Sequence, residues 1–245
     1  MAWREDVLLG VARVRQLFLG EANGGMGTDV EVAIQTQTVY VDKTQFNIEA
    51  PEPVNEEGLV RWNADDGTLE FGMIGGDVVL QVGQEHVTRV FNVSGDDIPN
   101  GSLCYIVSAG DRKPRIDLAD ADNTNSVPEA VVMGMATELI VNGSQGYINS
   151  KGYVRGLDTN DLVEGDPVWL SLTPGGYTKT KPTAPNRSIF VGHCIYKHNN
   201  NGIILVDINP IPPLLGLSDV LAAAPNDGDI LAWSAANSRF ELKQP

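Results

Sequence analysis

The chain has 245 residues, with 32 Asp and Glu against 17 Lys and Arg, and a formal charge of −15. A surface of that sign repels phosphate, which argues against nucleic acid as a partner. No apolar run approaches the ~18 residues of a membrane span, and acidic Glu5 and Asp6 precede the apolar part of the N-terminus, unlike a secretion signal.

Residues Ala2 to Leu19 predict a short anchor-like element, helical or extended. Trp3, Val7, Val11, Val14 and Phe18 share one face at helical spacing, Glu5 and Asp6 fall in the first turn, and Gly20 follows as a stop signal. The alternation Val11-Ala12-Arg13-Val14-Arg15 keeps a strand reading open. The apolar stripe is the candidate packing or oligomer face. Gly24-Gly25-Met26-Gly27 lacks the Lys-Ser/Thr pair of a phosphate-binding loop and reads as a turn. Val30 to Val41 alternates as a strand with a Thr- and Gln-rich polar face. Ala50 to Glu57, a proline-and-acid linker, sets the domain boundary.

From Gly58 the pattern is mainly β. Val60-Arg61-Trp62 and Thr68 to Phe71 flank Asn63-Ala64-Asp65-Asp66-Gly67, a hairpin signal in which Asp-Gly supplies a positive φ. Val78 to Val82, His86 to Val93, Leu103 to Val107 and Val131 to Ile140 follow as strands, with Asp111 to Pro128 read as a polar loop. Tyr147-Ile148 and Tyr153-Val154 read as a strand pair bent at Gly146 and Gly152, and Val168-Trp169-Leu170 as a further strand. Tyr177 to Ala184, Ile189 to Tyr196 and Ile203 to Ile208 complete the set. Short strands with turns every ten residues or so predict an antiparallel β-sandwich or barrel over 58–209. Cys104 and Cys194 each sit in an apolar segment and are expected as buried thiols rather than a disulfide. Pro210 to Gly216 stiffens the exit into an extended C-terminal arm, 210–245.

Chemical signatures are few. His86, His193 and His198 lack the spacing of a zinc site, and no Gly-x-Ser-x-Gly elbow occurs. Asp120, Asp122 and Thr124 imitate the start of a calcium loop, but Asn125 replaces its glycine and Val131 its glutamate. Asp158, Asp161, Glu164 and Asp166 are close enough in sequence to supply the carboxylate pair of a glycosidase. Each also lies in a turn, where such side chains bond nearby backbone. Trp62, Trp169 and Trp233 fall in strand-like segments and read as core. No catalytic residue, cofactor or metal is assigned.

The phrases G-Y-V-R-G-L-D-T (Gly152–Thr159), E-G-D-P-V-W-L-S (Glu164–Ser171), K-P-T-A-P-N (Lys181–Asn186) and N-N-G resemble a module of tailed-bacteriophage structural proteins, of tail-fibre, head-fibre or capsid-decoration type. The resemblance runs from about Gly58 to Asp207. A second signature, L-S-D-V, then P-N-D-G-D-I-L-A-W and R-F-E-L, resembles a phrase that recurs along tail fibres. The resemblance implies a non-enzymatic virion protein, assembled in the bacterial cytoplasm and homotrimeric. Residues 1–57, with Trp3, Val7, Val11, Val14 and Phe18, would attach to tail, baseplate or capsid proteins. The β domain would meet a host surface glycan or protein receptor, or carry a tip protein. A capsid decoration protein is the alternative and a polysaccharide-degrading spike the third reading. Polar-faced strands and open strand edges that need cover by another chain favour oligomerisation on physical grounds.

Overall fold

The computed structural model describes residues 6–8, 11–13, 46, 55–122, 132–208, 218–221 and 227–243. The chain divides into two units, Met1–Gln45 and Phe46–Pro245. In the first, β1 (Asp6–Leu8) pairs antiparallel with β2 (Val11–Arg13), Val7 opposite Ala12 and Leu8 opposite Val11. Of the two readings left open for this element, helical or extended, the extended one holds over these residues. Gly10 sits midway along that stretch, where glycine costs a helix about 1 kcal/mol, and Val7 and Val11 are β-branched. Trp3, Val14 and Phe18 lie outside the described residues, as do the strand expected at Val30 to Val41 and the stiff segment Pro210 to Gly216.

The second unit is mainly β, and its described residues contain no helix. β3 (Val60–Asn63), β4 (Thr68–Gly72) and β5 (Val79–Gln81) form an antiparallel meander. The predicted hairpin turn closes it: Asn63 Oδ1 accepts from the Asp65 and Asp66 amides, and Gly67 adopts φ +64°.

β6 (Val87–Asn92), β7 (Leu103–Gly110), β8 (Lys113–Leu118), β9 (Val132–Ala136) and β10 (Gln145–Asn149) close a barrel in the order β10-β6-β8-β7-β9. All its pairings are antiparallel except β6 with β8. Val90, Ile98, Cys104, Ile116, Ala136, Ile140 and Ile148 form one buried cluster. Five strands leave room for little more than this. Gly146 matters here, because a β-carbon there would lie 2.6 Å from Ile140. At one end the fully buried Asn92 donates through Nδ2 to the Asp96 and Ile140 carbonyls, both at 2.8 Å, and accepts from Ser94.

β11 (Lys151–Leu157), β12 (Pro167–Leu170), β13 (Tyr177–Thr178), β14 (Phe190–Tyr196) and β15 (Gly202–Asp207) form an antiparallel sheet in the order β11-β15-β14-β12-β13. Its inner residues Val154, Leu157, Val168, Leu170, Val191, Cys194, Ile204 and Val206 pack on Leu103, Ala119, Ala121, Val132 and Met135 of the barrel side. This seam is the larger of the two cores. β16 (Val220–Leu221), β18 (Arg239–Lys243) and β17 (Ile230–Ser234) make a separate three-stranded sheet in that order.

Several expectations change. The polar loop Asp111 to Pro128 contains β8, whose Ile116 is fully buried; its proline and charges masked the strand. The strand pair proposed at Tyr147 to Val154 is instead the crossing between layers, since β10 closes the barrel and β11 pairs with β15. The strand at Tyr177 is only two residues long. Trp62 and Trp169 are half-buried, Trp233 is exposed, and the region after 217 carries a sheet within the expected arm. Both cysteines are free and buried, as anticipated.

Gly192 lies in β14 opposite Val206, where a β-carbon would sit 1.9 Å from the Leu205 carbonyl oxygen. Backbone on both sides cannot give way as a side chain can. Gly192→Ala should lower unfolding free energy by about 3 kcal/mol or more. Gly165→Ala meets no neighbour, so only its φ of +90° counts, at about 1–2 kcal/mol. Urea midpoints of the two variants check the order.

Candidate functional site

A concavity of about 720 Å³ opens where three segments converge: residues 100–102 entering β7, the turn 158–162 leaving β11, and residues 175–180 around β13. Backbone bonds fix this convergence. Leu103 N donates to the Gly175 carbonyl at 2.8 Å, Gly175 N to Ala119 at 2.7 Å, and Asn100 Nδ2 to the Arg155 carbonyl at 2.9 Å. Gly175 at φ +74° leaves a β-carbon only 2.9 Å from Leu118.

The floor of the turn is Thr159, buried to 1% exposure. Its hydroxyl donates to the Tyr196 carbonyl at 2.9 Å and accepts from the His198 amide at 2.9 Å, while its own amide donates to the His198 carbonyl. His198 in turn accepts at Nδ1 from the Asn200 and Asn201 amides, which shapes the loop between β14 and β15. Tyr177 Oη donates to the Asp158 carbonyl at 2.7 Å, and Lys179 Nζ to the Asp161 carbonyl at 2.6 Å. Burial, aided by the neighbouring Asp158, pushes the Tyr177 phenol up to about 12. It stays a protonated donor through the physiological range. Asn100 Oδ1 is buried without a partner at the margin of the groove. A lining of hydroxyls, amides and two carboxylates suits a polyhydroxylated or otherwise neutral polar ligand better than an apolar one.

The four acids considered for glycoside chemistry separate here. Asp158 and Asp161 line the groove; Glu164 and Asp166 are not part of its lining. Asp158 Oδ1 accepts from the Asn160 amide at 3.1 Å, Asp166 Oδ2 from Val163 at 2.8 Å, and Glu164 Oε1 from Lys197 at 3.5 Å. The first two bonds are turn geometry, as their positions in the sequence led one to expect. Asp120 Oδ1 accepts from the Asp122 amide, and the rest of that calcium-like loop, with Thr124, Asn125 and Val131, lies outside the described residues. Among the described residues no three His, Cys, Asp or Glu side chains gather to hold a metal ion. Of the predicted anchoring residues, Val7 and Val11 are placed in β1 and β2.

A second polar constellation was not foreseen. Glu70, almost wholly buried, accepts from Arg61 Nε at 2.6 Å, Asn63 Nδ2 at 2.7 Å and Gln81 Nε2 at 3.2 Å. Gln81 also donates to Asp66, and Arg155 of β11 reaches Glu85 at 2.9 Å and Gln81 Oε1 at 3.0 Å. The network joins the β3–β5 meander to the large sheet. Burial raises the Glu70 carboxyl, but the bonds from Asn63, Arg61 and Gln81 outweigh it and hold the group below its ordinary value. Glu85 goes the other way: burial lifts it despite the bonds from Gln81 and Arg155.

Comparison with family models, with curated proteins and with solved structures returns no match.

Thr159→Val keeps the shape but strands the His198 amide and Tyr196 carbonyl, an expected loss of about 1–3 kcal/mol. Asp158→Asn keeps its turn acceptor and should stay within about 0.5 kcal/mol of wild type; chemical denaturation of both distinguishes a structural floor from a dispensable rim. The depressed Glu70 carboxyl contributes stability that is present above its unfolded value and lost as pH falls through its folded one. The raised Glu85 works in the opposite sense, so its stabilising share grows as pH falls. Unfolding free energy measured from neutral to acid pH should therefore drop less steeply in Glu70→Gln than in wild type, and more steeply in Glu85→Gln.

Proposed function

We propose that the chain is a non-enzymatic bacteriophage virion structural protein, a homotrimeric fibre subunit. It attaches to the particle through its N-terminal part and displays the β domain for host attachment or for carrying a tip protein. One observation carries the reading: the residues of the phage-like phrases serve the architecture. From Gly152–Thr159, Val154 and Leu157 enter the seam and Thr159 ties the turn; from Glu164–Ser171, Val168 and Leu170 enter the seam and Asp166 holds its own turn. A phrase selected for closing a scaffold fits a displayed structural unit better than a catalyst.

Multivalency supplies the mechanism. A polar groove such as that around Asp158 and Asn160 gives weak contacts one at a time, and three copies on one axis convert them into avidity when the spacing allows joint engagement. The formal charge of −15 suits a component kept soluble at high copy number.

Light scattering across a dilution series should give a species of three times 26.3 kDa. Immunogold labelling should then mark the fibres. Label confined to the icosahedral facets would move the assignment to capsid decoration. Release of reducing sugar from host capsule by the wild type, lost in Asp158→Asn, would replace the structural role with an enzymatic one.

A further inference from the structure

The groove lined by residues 100–102, 158–162 and 175–180 holds polar groups of two kinds. Some are spent on the protein itself. Tyr177 Oη and Lys179 Nζ donate to the Asp158 and Asp161 carbonyls, Thr159 ties the turn to Tyr196 and His198, and Leu162 N donates to the Thr159 carbonyl. Others are uncommitted. The exposed side chains of Asn160 and Asp161 make no hydrogen bond or ion pair with any described residue. Among the described residues the Asp158 carboxylate accepts from the Asn160 amide alone, and the buried Asn100 Oδ1 has no partner. The turn is thus fixed in its backbone while its side chains stay unpaired. A ligand meets it already ordered, without the cost of arranging a loop.

We infer that the groove takes an uncharged, hydroxyl-rich stretch of a saccharide and turns away acidic ones. Charge is the first reason. Neither Asp158 nor Asp161 has an ion-pair partner among the described residues, and Lys179, the only cation of the lining, is engaged with a carbonyl. The chain's −15 adds to the same sign, so a carboxylated or phosphorylated ligand meets repulsion. The second reason is the lack of apolar anchors. Leu162 is 3% exposed and Tyr177 half-buried, which leaves little of what a protein partner would bury at the centre of its contact. The third is hydrogen-bond chemistry. The two carboxylates only accept and the Asn160 amide both donates and accepts, so neighbouring sugar hydroxyls, each donor and acceptor at once, can replace water on all three. The volume of about 720 Å³ lies within the ~300–1,000 Å³ of small-ligand clefts. The inference rests on the reading of the β domain as displayed for host attachment, and narrows its target to one class of glycan.

Exposure sets the strength. Exchanging water for sugar hydroxyls in an open groove gains little per bond, so one site should bind at about millimolar strength. Useful attachment then depends on several copies acting together.

The test uses the full chain. Saturation-transfer NMR compares neutral oligomers of glucose, mannose, galactose and N-acetylglucosamine with oligogalacturonate and oligosialic acid. At least one neutral oligomer should give a signal that titrates, and the acidic ones none. Asn160→Ala/Asp161→Ala should raise the Kd for that oligomer at least about tenfold. Neither side chain bonds the protein, so the double variant should melt with wild type. Asp65→Ala, which removes an exposed carboxylate outside the lining, should leave binding unchanged. No signal from any neutral oligomer, tighter binding of an acidic one, or binding undiminished in the double variant each overturns the inference. Light scattering on the same samples keeps the fibre reading separate. A trimer that binds no neutral sugar overturns the assignment of the groove alone, and a monomer that binds one overturns the trimer alone.

Discussion

The structure of the large unit depends on one apolar seam between the outside of a five-stranded barrel and the inner face of a five-stranded sheet. Leu103, Val132 and Met135 look outward from the barrel and pack on Val154, Val168, Leu170, Val191, Ile204 and Val206. The barrel's own buried cluster is small, seven residues of which four are isoleucines, so it could not by itself hide the apolar surface of five more strands. Two layers around shared apolar surface are the general solution to that problem. The chain passes between them at Asn149-Ser150-Lys151. There the buried Asn149 accepts from the Lys151 amide and donates to the Tyr153 carbonyl, satisfying backbone groups at the crossing that neither layer pairs.

Polar features gather at the margins of this seam. The groove forms where three loops leave the packed region, and its shape is set by backbone bonds and by Thr159 rather than by its acidic side chains. The Glu70 network does the same for the meander, joining it to β11 through Arg155, Glu85 and Gln81. Buried polar groups are tolerated in both places because nearly every donor and acceptor is matched. Asn100 Oδ1 is an exception, and it lies where the groove meets the barrel.

The sequence made the β class legible because alternation and turn residues are local signals. Asn63 to Gly67 specified its hairpin within a few residues, and the two cysteines announced burial by their apolar neighbours. What it did not show was which strands pair. Tyr147-Ile148 and Tyr153-Val154 look like two arms of one hairpin, but their partners lie at Thr88-Arg89 and Ile204-Leu205. Pairing at such distance leaves no mark on the intervening residues. β8 was hidden for another reason. Only Ile116 of Lys-Pro-Arg-Ile-Asp-Leu is fully buried, so its composition reads as loop while its neighbours on both sides hold it as a strand. The groove was half legible: Asp158 and Asp161 drew notice, whereas Asn100, Ser102 and Lys179 join them only through the fold.

The N-terminal stripe and the C-terminal sheet show opposite faults in reading apolar residues by period. Spacing of four at Trp3, Val7 and Val11 invited a helix, although a glycine at position 10 and β-branched neighbours favour the hairpin that forms. Leu231-x-Trp233 and Phe240-x-Leu242 have the period of two of paired strands, yet Trp233, read as core from its strand-like segment, is exposed. Alternation states only that one face avoids water. Whether the chain itself, a second copy or another molecule meets that face depends on what else packs there, and none of the described residues of this sheet is buried.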